Sequence, residues 1–230
     1  MEFYEEIREK LIEWGASFVG FSNVGANLSN DLKELQYAVT IGVSLSNFIV
    51  EQISDKPTFT YFHHYRTVNS LIDTIILKGQ LLIQERGYQV FGVPASQTVN
   101  NAQDKYSGVF SHKIAAVKAG LGWMGKSGLF ISSKYGPRVR LGTILTDLKI
   151  PYSNVVNLSS CGECRKCVEN CPAMAIRGND WSEDCSRSSI VDAKACSDYM
   201  NQKFKHIGRG SVCGICISSC PSPRNMNNER

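Results

Sequence analysis

The first 160 residues of this 230-residue chain contain no cysteine; all nine fall between Cys161 and Cys220. The N-terminus lacks the basic start and apolar run of a secretory leader, and MEFYEEIREKLIEW reads instead as an acidic amphipathic helix. No twin-arginine pair stands there, and no window approaches about 18 uninterrupted apolar residues, the length a spanning helix needs. Charge of one sign is not concentrated. Residues 1–160 hold 15 basic and 13 acidic side chains and residues 161–230 hold 10 and 8, so each part carries +2 of the net +4. That excludes a basic nucleic-acid stripe and an acidic tail. These absences give the expectation of a cytoplasmic protein without a membrane partner. In a reducing cytoplasm, clustered thiols point to metal rather than disulfides.

What is present is an ordinary globular composition, 43% hydrophobic and 20% charged, on a chain long enough for one mid-sized domain and a small one. Residues 1–14 place Phe3, Ile7, Leu11 and Trp14 on one helical face, and Gly15 ends the pattern. Ser17–Phe21 is a short strand candidate. Leu35–Leu45 is a strand apolar on both faces and therefore central. A long helical pattern runs from Tyr61 to Arg86 and stops at Gly87, followed by a strand over Tyr88–Val93. Asn100–Gly108 is a polar loop, and Ser111–Ala119 is a helix with Ser111 as cap. Leu129–Ser132 and Arg138–Thr146 read as two strands joined by a turn at Lys134–Pro137. The interleaving predicts an α/β or α+β fold for the first part. Ile150–Ser160 is a linker, which divides the chain into residues 1–155 and 156–230.

The cysteines form two runs. Cys161, Cys164, Cys167, Cys171 and Pro172 spell C-x-x-C-x-x-C-x-x-x-C-P; Cys213, Cys216, Cys220 and Pro221 spell C-x-x-C-x-x-x-C-P. The first spacing is that of the two-cluster bacterial ferredoxins, whose fourth cysteine ligates the other cluster. Three thiolates two residues apart wrap one iron–sulfur cube, and the fourth, a helical step on, points elsewhere. One [4Fe–4S] cluster is therefore expected on Cys161, Cys164, Cys167 and Cys220. The second takes Cys171, Cys213, Cys216 and one more, either Cys185 or Cys196. Structural zinc is the competing reading, but zinc sites pair two C-x-x-C units and do not favour a run ending in C-P.

Gly120-Leu121-Gly122-Trp123-Met124-Gly125 matches G-x-G-x-x-G. A dinucleotide site requires a strand before it and a helix after it. Here a helix precedes and a strand follows, so the turn reads as backbone approaching a flat ligand closely.

Residues 111–147, SHKIAAVKAGLGWMGKSGLFISSKYGPRVRLGTILTD, resemble the core of the epoxyqueuosine reductases and reductive dehalogenases. AGLGWxGK, then YG, a strand ending in TD, the two cysteine runs and an isolated cysteine in DAKACSDYM occur in the family's order; the last favours Cys196 and leaves Cys185 spare. The match spans about residues 100–221 and is loose before that. It implies a nitroreductase-like cobalamin-binding α/β domain followed by a ferredoxin-like double-cluster domain, with electrons passing from two [4Fe–4S] clusters to base-off cobalamin. An open cobalt is easier to reduce to a strong nucleophile, and Fe–S potentials reach down to about −700 mV. The corrinoid contacts implied are His112, Gly120, Leu121, Gly122, Trp123, Gly125, Lys126, Gly136, Arg138, Arg140 and Thr146. No D-x-H-x-x-G segment offers a histidine to cobalt; the four histidines are His63, His64, His112 and His206.

Two departures bear on the substrate. Where the tRNA enzymes carry an aspartate proton donor, an ungapped alignment places Tyr106, the first candidate general acid, with Asp104 close by. Tyr65, with Asn69 and Asp73 one and two helical steps on, is a further polar candidate, ranked behind the reading of these residues as ordinary helix surface. The chain ends at Arg230, without the helical-repeat domain of the tRNA enzymes. The expected substrate is thus a small-molecule electrophile ahead of tRNA, with an external low-potential electron donor. A ferredoxin-type electron carrier and a reductive activator of a corrinoid protein are the competing functions.

Overall fold

The computed structural model describes residues 2–97, 99, 106–152, 159–209 and 212–222. The chain forms two compact units, each assembled from separate stretches. The first comprises Met1–Ser44, Thr67–Leu121 and Arg140–Asn157; the second comprises Leu45–Arg66, Gly122–Val139 and Leu158–Arg230.

In the first unit, α1 (Phe3–Glu13) buries Ile7 and Leu11, and Gly15 follows at φ +114°. A four-stranded sheet runs in the order β1 (Phe18–Asn23), β2 (Tyr37–Ser44), β6 (Val139–Thr146), β3 (Val90–Val93). β1 and β2 pair antiparallel, Phe18 opposite Gly42, and β3 and β6 pair antiparallel, Val90 opposite Thr146. Six consecutive residues of β2, Ala38–Val43, are buried, which puts this strand inside the sheet as its two apolar faces require. The long helix α3 (Phe59–Gln84) can lie close on the sheet because small residues face it. A Cβ at Gly142 would come within 2.4 Å of Ile72, and one at Gly79 within 2.6 Å of Ile144. α4 (His112–Lys118) buries Ala115, Ala116 and Val117, with Ser111 at the cap position but making no side-chain cap bond.

The two strands expected over Leu129–Ser132 and Arg138–Thr146 are present and joined by a turn, but they do not pair with each other. β4 (Gly122–Met124) pairs antiparallel with β5 (Phe130–Ser132), while β6 enters the larger sheet between β2 and β3. The turn that closes the hairpin is Gly125–Gly128, where Gly128 N–H donates to Gly125 O at 2.8 Å. β6 is eight residues long and buried at seven of them, so it satisfies both faces only inside a sheet.

The second unit is built from short helices around a small core that includes Ile176, Ile190, Phe204, Ile207, Ile215 and Ile217. α2 (Asn47–Glu51) is capped by the Ser46 hydroxyl, which accepts from Ile49 N–H. α5 (Lys166–Glu169), α6 (Arg187–Ile190), α7 (Ala193–Lys203), α8 (Lys205–Gly208) and α9 (Ile215–Ser218) follow the first cysteines. The Asp192 carboxylate caps α7 by accepting from Ala195 N–H at 2.9 Å. Among the described residues, no helix is long and apolar enough to cross a membrane.

Candidate functional site

All nine cysteines are free thiols, and eight of them fall into two sets of four. The Cys161–Cys164 turn closes with Cys164 N–H donating to Cys161 O at 3.0 Å; Cys167 sits on α5 and Cys171 just after it. Burial pushes the Cys167 thiol up to about 11, and the thiols that act on it next are Cys220, Cys161 and Cys164. Cys220 is raised by burial, then by Cys161 and Cys164. Cys196, on α7, is pushed up to about 11 by burial, then by Cys213 and Cys171. Cys216, on α9, is raised by burial and then, in falling order, by Cys213, Cys196, Cys171 and, last, Cys167 of the neighbouring set. The groupings are thus Cys161/Cys164/Cys167/Cys220 and Cys171/Cys196/Cys213/Cys216, each drawing on stretches far apart in the chain.

Cys185 stands outside both. Its sulfur lies 3.1 Å from the Ser182 hydroxyl, which with a backbone bond lowers its pKa, and no other thiol acts on it. The donor sets fit iron–sulfur cubes: four sulfurs each, sulfur ligands throughout, and an N–H directed at sulfur where Ala175 donates to Cys171 Sγ at 3.4 Å. Among the described residues, no three His, Cys, Asp or Glu side chains are grouped as a site for a single ion.

The glycines of the G-x-G-x-x-G stretch each have a reason within the protein. Gly120, at φ +69°, ends α4: its N–H donates to Val117 O at 2.9 Å and Leu121 N–H to Ala116 O at 3.2 Å, the bonds of a Schellman stop. A Cβ at Gly122 would sit 2.0 Å from the Ile131 carbonyl oxygen, so β4 and β5 meet only with glycine there. A Cβ at Gly125 would crowd Ile131 at 2.8 Å and reach 3.6 Å from Cys161 Sγ. The close approach is to the chain's own backbone and first cysteine.

The next residue, Lys126, is buried, and its Nζ donates to Gly162 O at 2.5 Å, inside the first cysteine loop. Arg138 is also buried; its guanidinium donates to Asn47 Oδ1 at 2.9 Å and Glu51 Oε1 at 3.0 Å, and its charge acts on Cys220. Gly136, at φ +58°, closes a turn with Ser132 through paired N–H···O bonds of 2.8 and 2.9 Å. The Trp123 indole N–H is buried and finds no hydrogen-bond partner.

In the first unit His112 is tied at both nitrogens, Nδ1 2.8 Å from Thr143 Oγ1 and Nε2 3.0 Å from Pro94 O. A carbonyl can only accept, so Nε2 carries the proton and Nδ1 accepts from the threonine hydroxyl. Burial pulls this imidazole down to about 4 and Arg140 acts in the same direction, so it is neutral near pH 7. Arg140 Nε donates to the buried Asn69 at 2.9 Å, and Asp73 accepts from Ala95 N–H at 2.8 Å. Two of the three polar residues on the Tyr65 stripe therefore hold structure together; Tyr65 itself packs at a tilt on Tyr61, ring centroids 6.5 Å apart. Thr146 and Asp147 grip one residue from both sides: the hydroxyl donates to Gln89 O at 2.8 Å and the carboxylate accepts from Gln89 N–H at 2.9 Å. Tyr106 lies at φ +72°, a left-handed conformation costly for an aromatic residue, beside the Val99–Ser107 bridge. Asp104 lies outside the described residues.

The sequence reading missed Tyr61. This fully buried ring in the second unit lies 2.7 Å from where a Cβ of Gly214 would be, beside Cys213. A tyrosine opening a long amphipathic pattern carried no signal of that contact.

Residues 160–223 match the family described as the 4Fe-4S double cluster binding domain. Epoxyqueuosine reductase from Staphylococcus aureus is 33% identical over 126 residues, 54% of this chain and 32% of that protein. Tetrachloroethene reductive dehalogenase from Desulfitobacterium hafniense is 32% identical over 46% of this chain and 21% of its own length. Over about half of its length the chain is similar in sequence to epoxyqueuosine reductases and to a reductive dehalogenase. It spans about a third of the epoxyqueuosine reductase it matches in Staphylococcus aureus. The fold agrees. A reductive dehalogenase structure whose description concerns B12-dependent dehalogenation superposes with a TM-score of 0.74 at 20% identity, over 94% of this chain and 31% of the other. Epoxyqueuosine reductase from Streptococcus thermophilus superposes at 0.57, 21% identical, over 96% of this chain and 66% of the other.

Proposed function

We propose that this chain is a cobalamin- and [4Fe–4S]-dependent reductase acting on an electrophilic small molecule. The observation that carries the reading is the gathering of eight thiols into two sets of four from positions up to 59 residues apart, Cys161 to Cys220. Two cubes side by side are a relay for single electrons. The proposed ligands are Cys161, Cys164, Cys167 and Cys220 for one, and Cys171, Cys196, Cys213 and Cys216 for the other.

For the corrinoid, the unpaired indole N–H of Trp123 is a donor without an acceptor, which suits a macrocycle fringed with amides. Trp123 and Gly136 of the second unit are the proposed holding residues. The bound corrinoid supplies a cobalt that passes electrons to the electrophile. His112 is committed at both nitrogens, so it serves to anchor α4 against β6. Tyr106, held in a strained conformation, is the proposed proton donor to the reduced substrate.

The test is anaerobic purification, iron and sulfide analysis, then titration with cobalamin followed by visible absorption. About eight irons per chain and a saturable spectral change are expected. Eight irons with no spectral change at saturating cobalamin would reduce the function to electron carriage. Cobalamin binding without turnover of any electrophile would leave an activator of another corrinoid protein. About one zinc with no iron would overturn the whole reading.

A further inference from the structure

We infer that Lys126 and Arg138 hold the cluster on Cys161, Cys164, Cys167 and Cys220 at a higher reduction potential than its neighbour, so that electrons run from the second cluster to the first. This rests on the cluster assignment proposed above.

The argument begins with charge. Lys126 is only 7% exposed, and its Nζ donates to the carbonyl of Gly162, between the first two ligands. Its nearest carboxylate, Asp180, is 3.9 Å away and 59% exposed. Arg138 is 5% exposed and paired with Glu51, itself 61% exposed. Both cations are thus inside while their counter-charges are in solvent, where water screens them. Two buried cations therefore stand beside this set. Loss of a side chain at Gly125 keeps Cys161 close to the same hairpin.

The second set has different surroundings. The charged side chain acting on Cys196 is Asp192, itself paired with Arg177 at 3.5 Å and half-exposed, so among the described residues no buried cation stands beside this set as Lys126 and Arg138 do beside the first. Tyr61 and Ile53 close over Gly214 between Cys213 and Cys216. Reduction takes a cube from the 2+ to the 1+ level by one electron from an external low-potential donor; no bond forms or breaks and no proton is required. The product is more negative, so a buried cation favours it, and apolar cover without one disfavours it. Both effects place the first cluster above the second.

Potentiometric titration with dithionite of the cluster-loaded protein, read by electron paramagnetic resonance, tests this. Two reduction steps are expected. Lys126→Met should lower the upper midpoint alone, and Lys126→Arg should restore it. Arg138→Gln should act in the same direction. Cys196→Ala should remove the lower step and leave the upper. The inference is overturned if Lys126→Met moves both midpoints or neither, if Lys126→Arg fails to restore the upper one, or if Cys196→Ala removes the upper step. Absence of iron would instead sink the cluster assignment, and iron content measured on every sample separates the two failures.

Discussion

Cys196 and Cys185 are 11 residues apart, and only one of them can complete the second cluster. The geometry discriminates sharply. Cys196 projects from a helix of 11 residues fixed by the Asp192 cap, and its thiol is acted on by Cys213 and Cys171. Cys185 bonds to Ser182, and its pKa is lowered rather than raised. Removing Cys196 as alanine leaves three thiolates for four irons. Iron should fall from about eight per chain to about seven if the cube sheds only its unsupported corner, or to about four if the cube is lost. Cys185→Ala should stay at about eight, with unchanged absorption. The assay is iron and sulfide per chain on anaerobically reconstituted protein, with a paramagnetic resonance spectrum to reveal a three-iron cluster. Full iron in Cys196→Ala together with loss in Cys185→Ala would refute the grouping of thiols and the direction of α7.

The raised thiols make the iron-free chain sensitive to alkali. Cys167 and Cys196 sit at about 11 in the folded apo chain against an ordinary 9.0, so their neutral form stabilises the fold fully below pH 9 and that contribution is lost as pH rises toward 11. The melting temperature of apo protein should therefore drop across that window, while cluster-loaded protein, whose thiols are already deprotonated, should not follow it. Gly122→Ala puts a methyl 2.0 Å from a backbone oxygen and should cost about 1–3 kcal/mol or more in denaturant unfolding, whereas Gly87→Ala, with nothing within 4 Å but φ at +86°, should cost only about 1 kcal/mol. Tyr106→Phe should lower substrate reduction by about 10²-fold or more at unchanged iron and cobalamin content, and unchanged turnover would remove the tyrosine from the reaction.

What the sequence made legible was local. Helix and strand positions followed from periodicity: α1, α3 and β2 lie within three residues of their expected ends. The cysteine runs could be read because their spacing is itself the wrapping of a cube. Pairing could not be read. β6 is apolar throughout, and nothing in residues 138–146 says whether its partner is the short strand before it or two strands drawn from elsewhere in the chain. The glycine stretch carries constraints of the same non-local kind. Gly120 is a helix stop, Gly122 a crossing point of two strands and Gly125 a clearance for Cys161, three unrelated constraints that spell one motif. The Thr146–Asp147 pair hid likewise, because its partner Gln89 is 57 residues away from the threonine.

Lys126 and Gly162 are 36 residues apart, and their bond gives the β4–β5 hairpin a purpose that neither segment reveals alone. At one end of its turn, Gly125 clears Cys161 and Lys126 holds the loop that follows it. At the other end Gly128, at φ +70°, leaves room for Val191, 3.1 Å from where its Cβ would lie. Val191 immediately precedes Asp192, the cap of the helix that carries Cys196. One four-residue turn therefore sets the position of a ligand in each thiol set. Both sets then depend on the same backbone, and damage to the turn should disturb the two clusters together. Damage to one cysteine run alone would disturb them unequally, since the first run gives three ligands to one cube and Cys171 to the other, and the second gives Cys213 and Cys216 to one and Cys220 to the other.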